Sequence, residues 1–415
     1  MTSPATDVEP ACPEQDAAVE GDASRAPATR PRTLRAERRP FADIDRSTWD
    51  ALAARNPWAT PFSAWAFHRA WWDGYGANAH DDTLVVIDID AASDAPPVAI
   101  APFMHRHELE PEDVASRTAM RGDRGAHLTP VPATAKAVFM GASYHADYAT
   151  ILASPAEMPA VAEAVVARLA DPAALAEPSP IPWDVVDLRR LRCGDSAADD
   201  LAAAFGAREM TAGWTVNIER EDVCPIATLP EGGDFEVYLS TLGKKERHEI
   251  RRKLRRAQAI GPVRLVRSPD PLADLEAFID LHQRRWGEEG LFRNNAGGEQ
   301  SRGFFRRQFE LFGPDGPLVL SFLWVGVRRI AASVHFDDGE SIYYYNAGVD
   351  PDARELSPGV LLVAELIRGA LELGRRRLDF CRGDEAYKYE WGAVDESIQR
   401  LLVRRTERND ESPRP

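Results

Sequence analysis

Residues 341–391 read SIYYYNAGVDPDARELSPGVLLVAELIRGALELGRRRLDFCRGDEAYKYEW. The β-prone run SIYYYNAGV predicts a strand, VLLVAELIRGALELG a helix, and RRRLDFCRG a second strand. Strand, helix and strand joined by short connections imply parallel pairing with a right-handed crossover. The helix opens at Ser357-Pro358-Gly359. Serine can cap the free amides, proline fits the first helical position because it lacks an N–H, and Gly359 lets a ligand approach the backbone. The first-turn amides have no partners within the helix, so this end is a ready anion site. Apolar residues on most sides of the helix (Val360, Leu361, Leu362, Leu366, Ile367) predict burial against the sheet, which would fix that end rigidly. The competing reading is a well-capped buried helix without a ligand.

A polar cluster follows the second strand: Asp379, Arg382, Gly383, Asp384, Glu385, Tyr387 and Lys388, closed by Trp391. In open α/β sheets ligands bind beyond the carboxyl ends of strands, where this cluster falls. Asp379 and Glu385 are candidate bases, Tyr387 is a candidate acid, and Arg382 or Lys388 could stabilise an oxyanion or a phosphate. A surface turn with incidental ion pairs is the alternative.

The same order occurs earlier in the chain. DYATILA (147–153) reads as a strand, AEMPAVAEAVVARLA (156–170) as a helix and WDVVDLRRL (183–191) as a strand. A hairpin-like region precedes each unit: TLVVIDID with PPVAIAPFMHRH, and PLVLSFLWVGV with RIAASVHFDDG. Two similar α/β domains of mixed sheet are therefore expected, 39–228 and 229–408, joined near Glu221–Gly233. Each opens with helical material, and the second contains the basic helix KKERHEIRRKLRR (244–256). Residues 1–38 and 409–415 lack the apolar content to offset ordering entropy and read as disordered tails.

Composition narrows the function. A formal charge of −16 argues against a general nucleic-acid coat, and no DNA partner is expected. Four scattered cysteines without a Cys-x-x-Cys favour neither a disulfide scaffold nor a zinc ribbon. His105-x-His107 and the other histidines match no ligand spacing, so no metal is expected, and no Gly-x-Ser-x-Gly marks a hydrolase. No secretory signal is visible, and no apolar run approaches the roughly 18 residues of a membrane span. A cytoplasmic location is the default. The basic helix suggests a local anion-binding face for CoA phosphates, a pyrophosphate or tRNA, against the plainer reading of a solvated helix.

The run from SIYYYNAGVDP through SPG, the apolar helix and LDFCRGDEAYK to Trp391 resembles acetyltransferase-like proteins linked to cellulose biosynthesis. These lie in the superfamily that includes the GCN5-related N-acetyltransferases (GNAT) and the Fem-type aminoacyltransferases. STWDALAARNPWATPFSAWAFHRAWW, LSTLGKKERHEIRRKLRRA and LHQRRWGEEG, which carries Trp286, also resemble that family. The resemblance implies a tandem GNAT-like fold and an N-acyltransferase. Acetyl-CoA or another acyl-CoA would be the co-substrate, and a small-molecule or envelope-precursor amine the acceptor, in polysaccharide or cell-envelope metabolism. Carried over by position, Ser357, Pro358, Gly359 and Val360 fall at the acyl-CoA pyrophosphate loop. Tyr345 and Asn346 fall on the strand beside the acyl group, and Lys388 in the aromatic-Lys motif of the acyl-transfer site. Arg251, Arg252 and Arg255, with Arg382 and Trp286, would serve the acceptor. Of the superfamily's Arg/Gln-x-x-Gly-x-Gly/Ala loop, Ser-Pro-Gly is what this reading finds, and no glycine-bearing counterpart precedes Ala156 in the first half, which is expected to lack a donor site. An aminoacyl-tRNA-dependent transferase and a catalytically silent scaffold are the alternatives.

Overall fold

The computed structural model describes residues 32–106, 127–132, 135–171 and 183–405. The first half runs β1 (Leu34–Arg38), α1 (Arg46–Arg55), α2 (Trp65–Tyr75), β2 (Ala79–Asp81), β3 (Leu84–Asp88), β4 (Ala99–Ala101), β5 (Phe103–Arg106), β6 (Ala137–Met140), α3 (Met158–Ala170), β7 (Val185–Arg192), α4 (Ser196–Gly206), α5 (Glu209–Ala212) and β8 (Trp214–Thr228). The second runs α6 (Phe235–Thr241), α7 (Lys244–Gln258), β9 (Val263–Arg267), α8 (Pro271–Trp286), α9 (Ala296–Phe312), β10 (Leu318–Val325), β11 (Arg328–Asp337), β12 (Ser341–Val349), α10 (Pro358–Glu372), β13 (Arg377–Asp379), α11 (Ala386–Tyr389) and β14 (Val394–Arg405).

Eleven of these strands form one sheet in the order β2-β5-β6-β7-β14-β8-β13-β12-β11-β10-β9. Among the described strands only β6–β7 and β12–β13 are parallel, and each pair is joined by a crossover helix, α3 or α10. The order is nearly palindromic about the β14–β8 junction. At that junction the halves trade strands: β8 leaves the first half to pair with β13, and β14 returns to pair with β7. β8 and β14 then pair with each other from Trp214↔Arg405 to Ile226↔Val394. The fold is thus a mixed α/β sheet built of two halves of similar strand order. Residue 228, where the sequence divides the chain, ends a strand already embedded in the other half.

Helices cover both faces of the sheet. On one face of the second half, α6, α7 and α10 bury Leu239, Ile250, Leu254, Leu361, Leu362 and Ile367 in one core. α7 is charged all round except for the stripe Ile250, Leu254 and Ala257, whose spacing of four and three keeps it on one side. On the other face, α2 of the first half joins α8 and α9, and Phe67 and Trp71 share a core with Phe278, Phe304 and Phe336. That shared core presses the two halves together beside the parallel pair β12–β13.

Several expectations are corrected. Leu34–Arg38 belongs to no tail: it pairs antiparallel with β3, because backbone bonds and the burial of Ala36 offset the ordering entropy that composition alone suggested. The strand feeding α3 is β6, not DYATILA; residues 147–153 instead make isolated bridges, Ala149 to Leu191 and Leu152 to Ile100. PPVAIAPFMHRH is cut at Pro102, which has no N–H for a ladder, so β4 joins a small sheet with β1 and β3 while β5 joins the large one. Residues 1–31, 406–415 and His107 lie outside the described residues.

Candidate active site

β12 and β13 pair through Ser341↔Arg377, Ile342↔Leu378 and Tyr343↔Asp379, and then part. Where they part, β12 is bulged. Its register against β11 jumps from Tyr343↔Phe336 to Asn346↔Val334, so Tyr344 and Tyr345 together oppose His335. A bulge of this kind interrupts the ladder and re-aims side chains. The opening between Tyr344–Ala347 and Phe380–Arg382 is a cavity of about 230 Å³. The end of α8 supplies a further wall through His282, Arg285 and Trp286, and Glu385, Tyr387 and Lys388 close the side below. The last wall comes from the first half: Tyr144, His145 and Asp147 in the β6–α3 connection.

The structure therefore brings Tyr345, Asn346, Trp286, Arg382, Glu385, Tyr387 and Lys388 to one cavity. Lys388 is only 3 % exposed, and its Nζ donates to the carbonyl oxygens of Cys381 (3.0 Å), Arg382 (3.1 Å) and Gly383 (2.8 Å). The Glu385 carboxylate lies 2.9 Å from the same nitrogen. An ammonium has three N–H groups, so these partners account for all of them. The ion is buried because it is paired, and it pins the turn after β13. Within that turn Cys381 adopts a left-handed φ of 56°.

Asp379 lies behind the cavity wall rather than on it. One oxygen accepts from the Cys381 N–H and the other from the Tyr148 hydroxyl, both at 2.7 Å. Burial pushes its carboxyl up to about 6, and these two hydrogen bonds limit the rise. Burial likewise raises the Tyr148 phenol well above its ordinary value, with the nearby Asp379 charge adding to the effect.

His145 and His282 both face the cavity, and burial pushes their imidazoles down to about 3 and about 4, so both are neutral near pH 7. His145 Nε2 lies 2.7 Å from the Tyr75 hydroxyl, which also reaches Ser301 Oγ at 2.9 Å. Arg382 donates from Nε to Asp147 across the two halves at 3.3 Å. Tyr387 stands at the mouth, edge-on to Phe380.

The start of α10 lies beyond the end of β12, outside the cavity lining. Ser357 does not cap it. It adopts the left-handed conformation (φ 56°, ψ 58°), and its Oγ accepts from Arg256 Nη2 at 2.9 Å. Gly359 is exposed, and a Cβ there would meet nothing within 4 Å. The resemblance to an Arg-x-x-Gly-x-Gly loop extends further back than Ser-Pro-Gly. Arg354-Glu355-Leu356-Ser357-Pro358-Gly359 matches Arg-x-x-Gly-x-Gly with Ser357 in the first glycine's place, holding the backbone shape that favours glycine. Of the basic helix, Arg251 pairs with Glu236 and Arg252 with Glu249, and Arg255 is exposed; none of them lines the cavity. Arg256 is the arginine that reaches the loop, and its only sequence signal was its place near the end of that helix.

The first half repeats part of this geometry. β6 and β7 part after Phe139↔Asp187, as β12 and β13 do after Tyr343↔Asp379, but β6 keeps its register against β5 and the bulge lies on β7, where Arg189 and Arg190 oppose Arg400. Asp187 is thus the counterpart of Asp379. Asp187, however, faces the guanidinium of Arg189 and accepts from Arg400 at 2.6 and 2.9 Å, and these cations hold its carboxyl below the ordinary value despite burial. The gap beyond it is filled by the bridging segment that carries Ala149 and Leu152. Among the described residues no group of three or more His, Cys, Asp or Glu could hold a metal ion. Among the same residues no helix is long and apolar enough to cross a membrane.

Residues 244–389 match the acetyltransferase (GNAT) domain family. No curated protein matches the chain. Among solved structures, FemX superposes with a TM-score of 0.53 at 11 % identity, covering 86 % of this chain and 96 % of that one, a likeness of fold. The L-PGS structure from Bacillus licheniformis gives a TM-score of 0.46 at 11 % identity over 88 % of this chain and 93 % of its own. A tandem GNAT protein from the clavulanic acid biosynthesis pathway gives 0.41 at 12 % identity, over 91 % and 100 %.

Proposed function

We propose that the protein transfers an acyl group from the thioester of an acyl-CoA to a primary amine, on a sugar or another cell-envelope precursor used in polysaccharide metabolism. The observation that carries this reading is the parting of β12 and β13 at a bulge, beside a helix whose first amides and neighbouring Arg256 can receive phosphate. The thioester would lie along Tyr345 and Asn346, with Ser357–Val360 receiving its pyrophosphate. The amine nitrogen attacks the carbonyl carbon, the new C–N bond forms, and the C–S bond breaks. One proton leaves the nitrogen and one is taken up by the departing sulfur. Thioesters already react with amines, so orientation within the cavity supplies much of the rate. Glu385 and Asp147 are carboxylates on the cavity wall able to take the proton. Lys388 has its three N–H groups engaged, so its part is to fix the 381–383 turn and lend charge, not to donate directly to an oxyanion.

Calorimetric titration of acetyl-CoA, with Gly359→Trp alongside, tests the donor site. Space is open at Gly359, so the variant should fold and lose saturable binding. Equal binding by both proteins would remove the site from α10.

An aminoacyl-tRNA donor is the second reading, favoured by the exposed positive face of α7. Its signature would be binding of charged tRNA that weakens steeply as salt rises. Failure to bind acetyl-CoA and charged tRNA alike would leave a non-catalytic scaffold.

A further inference from the structure

The β6–α3 connection of the first half stands in the wall of the other half's cavity. Three groups meet there. Asp147 comes from the first half, with Arg382 Nε at 3.3 Å its hydrogen-bond donor. The Tyr345 ring packs on Phe305 and Phe336, and its hydroxyl is buried and has no hydrogen-bond partner among the described residues. An unpaired buried hydroxyl costs stability, and one lining a cavity beside a carboxylate gains its partner when a ligand arrives. The Lys388 ammonium is engaged with three carbonyls and Glu385, His145 and His282 are neutral, Arg285 lies over the Trp286 ring, and Arg293 donates to the Gly290 carbonyl. Glu289 and Leu291 also line the cavity, and Tyr144, Trp286 and Phe380 offer ring surface.

We propose that Asp147 and the Tyr345 hydroxyl form the acceptor subsite, and that the acceptor is an amino sugar. Asp147 receives the ammonium, Tyr345 and Arg382 meet ring hydroxyls, and the aromatic walls pack on the apolar C–H faces of the sugar. A cavity of about 230 Å³ suits one sugar ring rather than a folded protein surface. The first half thereby selects the acceptor for a reaction carried out in the second. Before attack the ammonium gives up one proton, and Asp147 is placed to take it. This inference rests on the acyl-transfer reading for its chemistry, but not for the binding of the amine.

The test is an NMR titration of the full chain with glucosamine, glucose and glycinamide as probes, comparing wild type with Asp147→Asn and Tyr345→Phe. Glucosamine should bind saturably, and glucose and glycinamide at least tenfold more weakly. Asp147→Asn should weaken glucosamine at least tenfold while the acetyl-CoA dissociation constant stays within twofold. Tyr345→Phe, which keeps the ring, should weaken it severalfold and serves if the Asp147 variant proves unstable. Unchanged glucosamine binding in both variants, or glycinamide binding as tightly as glucosamine, would overturn the assignment. Glucosamine binding without acetyl-CoA binding would sustain the subsite and remove the acyl-CoA donor. Acetyl-CoA binding without glucosamine binding would remove the subsite alone.

Discussion

Lys388 places a full charge where water has been excluded, and the neighbouring backbone is folded to receive it. Its carbonyl partners come from three consecutive residues, Cys381, Arg382 and Gly383, and Glu385 supplies the counter-charge. Lys388→Met preserves the stem but orphans three carbonyls and one carboxylate. Breaking a buried pair by removing one partner costs about 3–5 kcal/mol. The variant should therefore lose stability of that order in urea denaturation and lose acyl transfer with it. If stability stays within about 0.5 kcal/mol while transfer disappears, Lys388 acts directly on the reacting atoms and the positioning role is wrong. The sequence put Lys388 at the site but could not show its role. The motif Tyr-Lys-Tyr fixes a residue type, whereas the direction of its N–H groups depends on the left-handed turn at Cys381.

At the scale of elements, local periodicity made the second crossover legible. SIYYYNAGV became β12, and the apolar run after Ser357 became α10. What depends on distant pairing was not legible. β6 is only four residues long and takes its identity from β5 and β7, while DYATILA has strand-like composition without a full partner. The α10 start shows both limits. Its Ser-Pro-Gly predicts a serine cap, but Ser357 occupies a left-handed backbone position instead. A left-handed L-residue costs roughly 1–2 kcal/mol, and glycine is spared that cost. Ser357→Gly relieves the strain but forfeits the bond from Arg256, worth about 0.5–1.5 kcal/mol as an ordinary hydrogen bond. The expected outcome is a stability change near zero or slightly favourable. A loss above about 2 kcal/mol in chemical denaturation would mean that Ser357 Oγ matters more than the backbone shape.

For the whole molecule, the exchange of β8 and β14 makes each half complete the other's sheet, and the shared aromatic core does the same beside it. One consequence is that titratable groups are sealed inside. His68, His145, His282 and His335 are all buried and neutral, their imidazoles pushed down by burial to about 3, 3, 4 and 4. In the unfolded chain each titrates near 6.5. Between those values the unfolded chain holds protons that the folded chain does not. The stability these groups confer is therefore fully present above pH 6.5 and lost as pH falls towards 3–4. Asp379 acts in the opposite sense. Its folded value of about 6 lies above the ordinary 3.8, so the folded chain holds the extra proton, and stability from this group rises as pH falls from 6 to 4. Burial also raises the carboxyls of Asp195, Asp199 and Glu365, so these act with Asp379 against the four imidazoles. His335→Leu removes one imidazole that takes up a proton on unfolding, so urea denaturation at pH 6 and pH 5 should show a pH slope shifted from wild type by about one proton, roughly 1.4 kcal/mol per pH unit. The same pH slope in wild type and His335→Leu would mean that water reaches the His335 ring, contrary to the sealed arrangement derived from the exchanged strands.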